Sequence, residues 1–285
     1  MALQITRRAK GWDGNIAGDN TVELSLPIGF TYHQTTVEYA FLQAGPAGLA
    51  LGDAVGEIRL VANGKPVWNL QAVELDKKNR YEGRVTAGDA DSGVLVIDYD
   101  RFGLRMRGME EFTSLGTGIS DDETPLTTLT IEMDLKSAVV SGTLKSRHIV
   151  SAARKLGLFK KLRRYTDVFT GAGEFEIDDF PKGDAINAVL FFESVEAITN
   201  VRLERDDFVM FDRTDILNSR LQVDGVRAPQ DFLFVYDTTE KGNGQDQLLT
   251  RNANGTRVND MRWFMTISGA LTITSIVEYM GALEF

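Results

Sequence analysis

The chain contains no cysteine and only two histidines, His33 and His148, among its 285 residues. Without cysteine, a disulfide framework and a thiolate metal site are both excluded, and the redox compartment stays undetermined. A zinc site or a histidine-based catalytic apparatus is hard to build from two histidines so far apart in sequence. Long apolar runs are also missing, since none approaches the roughly 18 residues of a spanning helix. The first residues lack the apolar segment of a secretory signal, so we expect synthesis in a cytoplasm.

Acidic residues outnumber basic ones, but the two kinds are unevenly distributed. The net charge is −10, yet residues 143–165 hold 8 basic residues and no acidic one. Residues 1–142 hold 13 basic and 20 acidic residues, and residues 166–285 hold 10 and 21. A basic segment therefore separates two acidic halves.

Most of the apolar pattern has a period of two, which is typical of half-buried β-strands. Residues 22–26, 129–133 and 271–274 alternate in this way, and turn signals such as Asn63-Gly64 and Asp224-Gly225 recur between such stretches. Many short strands at this spacing predict an all-β sandwich or barrel.

Three segments have the spacing of a helix. Residues 66–80 and 212–223 are two of them, and Thr214 would be a suitable N-cap for the second. In the basic segment, residues 146–165 place apolar side chains at helical intervals, which predicts a third helix.

An internal repeat is the most informative pattern. Residues 55–69 resemble residues 198–212 at an offset of 143. Three further pairs follow in the same order, namely 27–29 with 181–183, 93–98 with 231–236, and 131–133 with 277–279. The repeat predicts two copies of one β unit, each an eight-stranded jelly-roll barrel. We predict a first barrel with a basic tail at residues 1–142, a basic linker at 143–170 and a second barrel at 171–285.

The segment that opens the first predicted barrel, residues 26–32 (LPIGFTY), resembles the beginning of a known shell protein. The likeness continues in order through residues 57–64, 114–117, 126–133, 177–181 and 276–281. Each motif alone is weak, but their order and spacing are specific. The chain is thus similar to the double jelly-roll major capsid proteins of membrane-containing icosahedral bacteriophages, of the corticovirus type in the tectivirus and adenovirus lineage.

This resemblance implies two upright barrels side by side and a homotrimer of pseudo-hexagonal outline that tiles a shell over an internal lipid membrane. It places the protein in the virion capsid after synthesis in a host cytoplasm, with minor capsid and vertex proteins as further partners. It implies a structural protein with no catalytic residues, no required cofactor and no sequence-specific nucleic acid binding. A structural calcium remains open, and no motif identifies its ligands. Residues 44–54 and 238–256 depart from the family pattern, so the role of these loops is undetermined.

A barrel with an even number of antiparallel strands starts and ends on the same side. The N-terminus, the connection and the C-terminus would therefore share one end, where the basic residues converge. We expect that end to face anionic lipid headgroups, each basic residue contributing about 1 kcal/mol. A solvated helix, pairing with acidic groups of a neighbouring subunit, and contact with packaged nucleic acid are the alternatives. The residues concerned are Arg7, Arg8, Lys10, Lys145, Arg147, Arg154, Lys155, Lys160, Lys161, Arg163 and Arg164.

Several acidic residues are candidates for other chemistry. Residues 89–91 (DAD) and 121–123 (DDE) could supply oxygen ligands to calcium, although neither has EF-hand spacing. Asp98 and Asp100 flank Tyr99 and resemble the two catalytic carboxylates of a glycosidase, but adjacent carboxylates at a strand end are commonplace. Residues 116–118 (GTG) lack the lysine of a phosphate loop and predict a turn.

Two rival functions remain. A carbohydrate-binding or carbohydrate-active double jelly roll would need a groove with aromatic side chains and paired carboxylates. Trp12, Trp68 and Trp263 could stack on sugars if exposed, although core positions are more usual for tryptophan. A minor capsid or vertex protein of the same particle is the other alternative, and copy number would distinguish it.

Overall fold

The structure is a computed structural model that describes residues 3–45, 48–84, 92–118 and 126–283. The chain divides into two compact units. Unit 1 comprises Met1–Arg80, Arg84–Arg163 and Gly281–Phe285, and unit 2 comprises Tyr81–Gly83 and Arg164–Met280. No helix in the described ranges is long and apolar enough to cross a bilayer.

Unit 1 is built mainly from strands with short helices in the connections. Its elements are β1 (Ile5–Arg8), β2 (Thr21–Ser25), β3 (Thr31–Leu42), α1 (Leu51–Ala54), β4 (Val55–Ala62), β5 (Lys65–Gln71), α2 (Ala72–Tyr81), β6 (Ser92–Asp98), α3 (Arg107–Phe112), β7 (Leu115–Gly116), β8 (Leu129–Leu135) and β9 (Ser141–Ser151).

Unit 2 begins within β10, whose first residues belong to unit 1. Its elements are β10 (Phe159–Phe169), β11 (Gly173–Ile177), β12 (Ala185–Glu193), β13 (Ile198–Arg205), β14 (Phe208–Thr214), α4 (Asp215–Gln222), β15 (Leu233–Asp237), β16 (Met261–Ile267) and β17 (Leu271–Gly281).

Both units have the same strand order. In unit 1 one sheet runs β1-β9-β3-β6, with β7 pairing to β3, and the other runs β2-β8-β4-β5. In unit 2 the sheets run β10-β17-β12-β15 and β11-β16-β13-β14. When the eight main strands of each unit are numbered in chain order, both units read 1-8-3-6 and 2-7-4-5. This is the jelly-roll arrangement of two facing Greek-key sheets, so the predicted all-β fold of two tandem jelly rolls is confirmed.

The predicted repeat extends to the register of a hairpin. Leu60 pairs with Trp68 in unit 1, and Leu203 pairs with Phe211 in unit 2, both at the offset of 143. A β-bulge follows Leu60, and another follows Leu203 at the same place. Bulges are specific departures from pairing, so a shared bulge supports the equivalence of the two hairpins more strongly than apolar alternation does.

One predicted pair in the repeat is wrong. Residues 131–133 lie in β8, the seventh main strand of unit 1, whereas residues 277–279 lie in β17, the eighth of unit 2. The counterpart of β17 is β9, because each pairs with the third main strand of its unit and has a register shift at the same place. In unit 1 the shift lies beside the pair Val150–Tyr32, and in unit 2 it lies beside the pair Tyr279–Ile186. Short alternating strands resemble one another, so the sequence pattern alone could not separate β8 from β9.

The helix predictions had mixed outcomes. Thr214 caps α4 as predicted, since its hydroxyl accepts a hydrogen bond from the backbone N–H of Leu217 at 3.3 Å. Residues 66–71 belong to β5, so the first predicted helix begins only at Ala72. The helix over residues 146–165 is wrong, because β9 and β10 occupy most of this segment. Long pairing with β3 overrides the helical spacing there, and buried Ser146 and His148 alternate with exposed Lys145 and Arg147.

Candidate functional site

The basic residues predicted to converge lie mostly on the surface. Eight of the eleven are exposed, and several are brought together by the pairing of β1 with β9. Arg8 lies opposite Arg147, and Arg147 forms an exposed ion pair with Glu38 at 3.0 Å. Ile5 lies opposite Val150, so the start of β1 and the end of β9 share one end of the sheet, as the strand count predicted for the N-terminus and the connection. The exposed residues are Arg7, Arg8, Lys10, Lys145, Arg147, Lys155, Arg163 and Arg164.

Lys160 and Lys161 are buried and do not belong to this surface, contrary to the sequence prediction. The Nζ of Lys160 donates to the backbone carbonyl of Asp100 at 2.8 Å and lies 5.7 Å from the centre of the Trp68 ring. Because a lysine stem is long and apolar, it can be buried when its amine finds an acceptor. A helical projection of the segment could not reveal this, since the segment is a strand.

Arg154 is half-buried and bound to backbone. It donates to the carbonyl oxygens of Glu111, at 2.8 Å, and Ser114. Burial lowers the pKa of Arg154, and the nearby charge of Asp100 acts in the opposite direction. These bonds hold the chain segment after β9 against the last turn of α3 and the residues that follow it, which is a structural role.

Asp98 and Asp100 line one cavity of unit 1 with His33, Arg84 and Arg101. Asp98 accepts a hydrogen bond from Gln34 at 2.8 Å and pairs with Arg84, and Asp100 lies 3.1 Å from Nδ1 of His33. Each carboxylate therefore has a positively charged or hydrogen-bonding partner. In a glycosidase the two carboxyl groups flank the scissile bond, one as general acid and the other as base or nucleophile, and the contacts of Asp98 and Asp100 give neither of them such a role.

The structure also assembles a serine, a histidine and an aspartate that sequence inspection did not connect. His33 Nε2 lies 2.9 Å from Oγ of Ser151, and its Nδ1 lies 3.1 Å from Asp100 and from Oγ of Ser114. The chain of contacts from serine to histidine to aspartate matches that of a nucleophilic triad. However, Ser151 is buried and does not line the cavity that His33 and Asp100 border. The arrangement satisfies buried polar groups. No local motif could have signalled it, because His33 is 67 residues from Asp100 and 118 residues from Ser151.

The metal and phosphate candidates have separate outcomes. Residues 89–91 and 121–123, the calcium candidates, lie outside the described residues. In the described ranges, no group of three histidine or acidic residues could hold a metal ion. Residues 116–118 do not form the predicted turn, because Gly116 ends β7 and Gly118 forms a β-bridge with Lys155. Thr117 between them is buried, and a side chain at Gly116 would come within 2.4 Å of the Lys155 carbonyl.

The tryptophans do not form a sugar-binding surface. Trp68 and Trp263 are buried, and Trp263 packs in the core of unit 2 against Phe191 and Tyr236. Trp12 is half-buried and donates to Oγ of Ser146 at 2.9 Å. The three tryptophans therefore do not provide an aromatic platform for carbohydrate binding.

Helix α4 buries its polar side and exposes its apolar side. Asn218 and Gln222 are buried, and the amide of each donates to the carbonyl of Val235 at 2.8 Å. Val235 lies on β15, the edge strand of its sheet, whose outward carbonyls need donors. Because the helix covers a sheet edge, its amides face inward and its apolar residues face outward. The exposed apolar residues are Ile216, Leu217 and Leu221 on the helix and Val223 after it.

The same edge-covering contact occurs in unit 1. Asn79 of α2 donates to the carbonyl of Val96 on β6 at 2.7 Å, as Asn218 does to Val235. Both helices follow the fifth main strand and bind the sixth. In α2, however, Val73 is the one large apolar residue that is strongly exposed. The apolar outer face of α4 is thus specific to unit 2, and exposed apolar patches of this kind mark interaction sites.

Comparison with known families accounts for nearly the whole chain. The family model described as viral coat protein P2 N-terminal domain matches residues 14–151. The model described as viral coat protein P2 C-terminal domain matches residues 159–283. No curated protein matches the sequence significantly.

Solved structures of viral capsid proteins share the fold. The major capsid protein P2 from bacteriophage PM2 is 18% identical, with 99% of this chain and 98% of that chain covered at a TM-score of 0.83. The STIV MCP is 10% identical, with 97% and 96% covered at a TM-score of 0.71. VP54 of PBCV-1 is 9% identical, with 100% and 98% covered at a TM-score of 0.65. At these identities the similarity establishes a common fold.

Proposed function

The chain belongs to the viral coat protein P2 family and is a capsid protein of a virion, and on that premise we propose that it assembles as trimers that tile an icosahedral shell over an internal membrane. Its contribution would be shape and repeated contact rather than chemistry. Broad contacts would hold each trimer, and weaker lateral contacts, repeated over the shell, would hold the particle by avidity. The partners would be further copies of the chain, minor capsid and vertex proteins, and lipid.

The observation that supports assembly is the outward apolar face of α4. Exposed Ile216, Leu217 and Leu221 lie on one side of a helix whose buried side is polar. Leaving three large aliphatic side chains in water costs roughly 1.5–3 kcal/mol each relative to full burial. A subunit contact that covers them would recover part of this energy, as at obligate interfaces.

We expect the purified chain to form a trimer in solution. Light scattering should give three times the chain mass of 31.6 kDa, and negative-stain images should show a hexagonal outline. A monomer at micromolar concentration would contradict trimer assembly. A monomer that also cleaves or retains oligosaccharides would favour the carbohydrate alternative instead.

We further propose that the exposed basic residues bind anionic lipid. Lys160 and Lys161 are excluded because they are buried, and Arg154 contributes little because backbone carbonyls bind it. The remaining eight residues are exposed, and all but three of them, Arg7, Arg8 and Lys10, lie between residues 145 and 164. Basic residues near an anionic surface each contribute about 1 kcal/mol at moderate salt.

Replacing two of these residues should weaken membrane binding. The variant Arg8→Gln/Lys145→Gln should bind vesicles containing anionic lipid at least about thirtyfold more weakly than the unmodified protein, from about 1 kcal/mol for each of the two residues in one chain. The matched control Lys241→Gln/Arg257→Gln removes two exposed basic residues of unit 2 and should leave binding unchanged. Co-sedimentation with anionic and neutral vesicles measures both. Equal, salt-independent binding to both vesicle types would count against the lipid proposal.

A further inference from the structure

In unit 1 the last strand of one sheet is covered by residues 159–163, the beginning of β10. Leu162 pairs with Trp68 of β5 in parallel. The indole N–H of Trp68 donates to the carbonyl of Lys160 at 2.6 Å, and Arg163 donates to the carbonyl of Pro66 at 3.2 Å. These contacts occupy the backbone and bury the side chains of what would otherwise be a sheet edge.

The equivalent strand of unit 2, β14, has no such cover in the described part of the chain. It pairs with β13 and ends its sheet. Its first residues, Phe208, Val209 and Met210, are all exposed. Val67 and Met210 occupy the same bulged position of the repeated hairpin, yet Val67 is 3% exposed and Met210 is 55% exposed. The apolar edge of β14 in unit 2 is thus exposed to water, whereas the equivalent edge of β5 in unit 1 is covered.

In unit 1 the segment equivalent to residues 159–163 is the beginning of the chain around β1, and it is exposed as well. β10 is the first strand of unit 2, as β1 is the first of unit 1, and each contains an Arg-Arg pair, at residues 163–164 and 7–8. Aligning these pairs places Leu3 at the position of Phe159. Phe159 is 2% exposed, whereas Leu3 is 83% exposed. Both halves of a contact that unit 1 buries are therefore present and exposed in the same chain.

We propose that the segment at residues 3–6 of a second copy adds to β14 as a parallel strand. The proposal rests on the proposed assembly and names the surface that joins the copies. An exposed edge with apolar side chains readily accepts an extended segment, with main-chain hydrogen bonds providing affinity and side-chain contacts providing specificity. Leu3 and Ile5 would cover Phe208 and Met210. Because the two surfaces differ, the contact is heterologous, and a heterologous contact with threefold rotation closes into a trimeric ring.

Cross-linking between introduced cysteines tests the contact directly, because the chain has no cysteine of its own. In the assembled double variant Leu3→Cys/Met210→Cys, a short bismaleimide should join copies into covalent dimers and trimers on denaturing gels. The matched control Leu3→Cys/Val168→Cys places its second thiol at an exposed apolar residue of β10, in the other sheet of unit 2. This control should remain largely monomeric. All substituted positions are exposed, so the fold should tolerate them.

A second variant measures the strength of the contact. Met210→Asp should weaken trimer formation at least tenfold, whereas Val168→Asp should leave it unchanged, as measured by light scattering over a dilution series. If the unmodified chain is monomeric, trimer assembly itself fails. If it is trimeric but Met210→Asp is equally trimeric and the two cysteine variants cross-link alike, this contact alone is refuted. Cross-linking within a single chain, or capture of a different protein by β14, would also refute it.

Discussion

Replacing Arg227 with alanine should lower the free energy of unfolding by roughly 3–5 kcal/mol. Arg227 and Asp237 are both buried, and Nε of Arg227 lies 2.6 Å from Oδ2 of Asp237. The guanidinium also contacts Asp224 at 2.6 Å and donates to Thr239. Burial alone would lower the pKa of Arg227, but Asp237, Tyr81 and Asp224 together outweigh burial and raise it. Without the arginine, a buried carboxylate would lose its counter-charge.

Two control variants separate the buried charge from simple loss of contacts. The double variant Arg227→Met/Asp237→Leu removes both charges with similar volume, so it should recover much of the stability that Arg227→Ala loses. Arg147→Ala removes the exposed partner of Glu38, 3.0 Å away, and should cost less than about 1 kcal/mol. Chemical denaturation followed by circular dichroism measures each variant. A loss for Arg227→Ala no larger than that for Arg147→Ala would contradict the assignment.

Acidification from pH 6.5 to pH 4 should destabilise the chain through His148, by up to about 3 kcal/mol. Burial, together with the positive charge of Arg7, lowers the pKa of His148 to about 4. The imidazole is neutral in the fold, where Nδ1 lies 2.9 Å from the hydroxyl of Thr35 and the Tyr32 ring packs against it. Between pH 6.5 and 4 the unfolded chain binds the proton and the folded chain does not. Stability is therefore retained above pH 6.5 and falls as the pH decreases through this window.

The variant His148→Gln isolates this contribution, because it retains a polar side chain that does not titrate. The difference in unfolding free energy between the two proteins should change with pH between 6.5 and 4 and stay constant above pH 7. All other side chains are common to the two proteins, so their contributions cancel in the difference. Parallel pH profiles for the two proteins would show that His148 is not the group responsible.

The repeat could be predicted from sequence because its best-matched segment is a hairpin with a conserved geometry in both units. Leu60 and Leu203 occupy the same register against Trp68 and Phe211. Period-two alternation and turn signals were sufficient for the strands on either side. The wrong match between β8 and β17 arose because alternation reports a half-buried strand but not its partner. Only pairing, with the register shifts beside Tyr32 and Ile186, identifies which strand is which.

The surface chemistry was less accessible to sequence reasoning. Lys160 and Lys161 count as charges in any composition, yet both are buried in the fold. Conversely, Ile216 and Leu221 look like core residues, and they are exposed because Asn218 and Gln222 turn toward the edge of β15. Whether a side chain faces water depends on what the opposite side of its element must bind. That requirement is set by residues far away in the chain.

The sequence by itself determined the class of fold, the doubling of the β unit and the separation of two acidic halves by a basic segment. These properties are local, because strand periodicity and charge are carried by neighbouring residues. Only the tertiary structure decided that, among the described residues, no strand pairs with the outer edge of β14, whereas residues 159–163 pair with β5. Sheet edges are defined by the absence or presence of a pairing partner, and that partner comes from a distant part of the chain or from another copy.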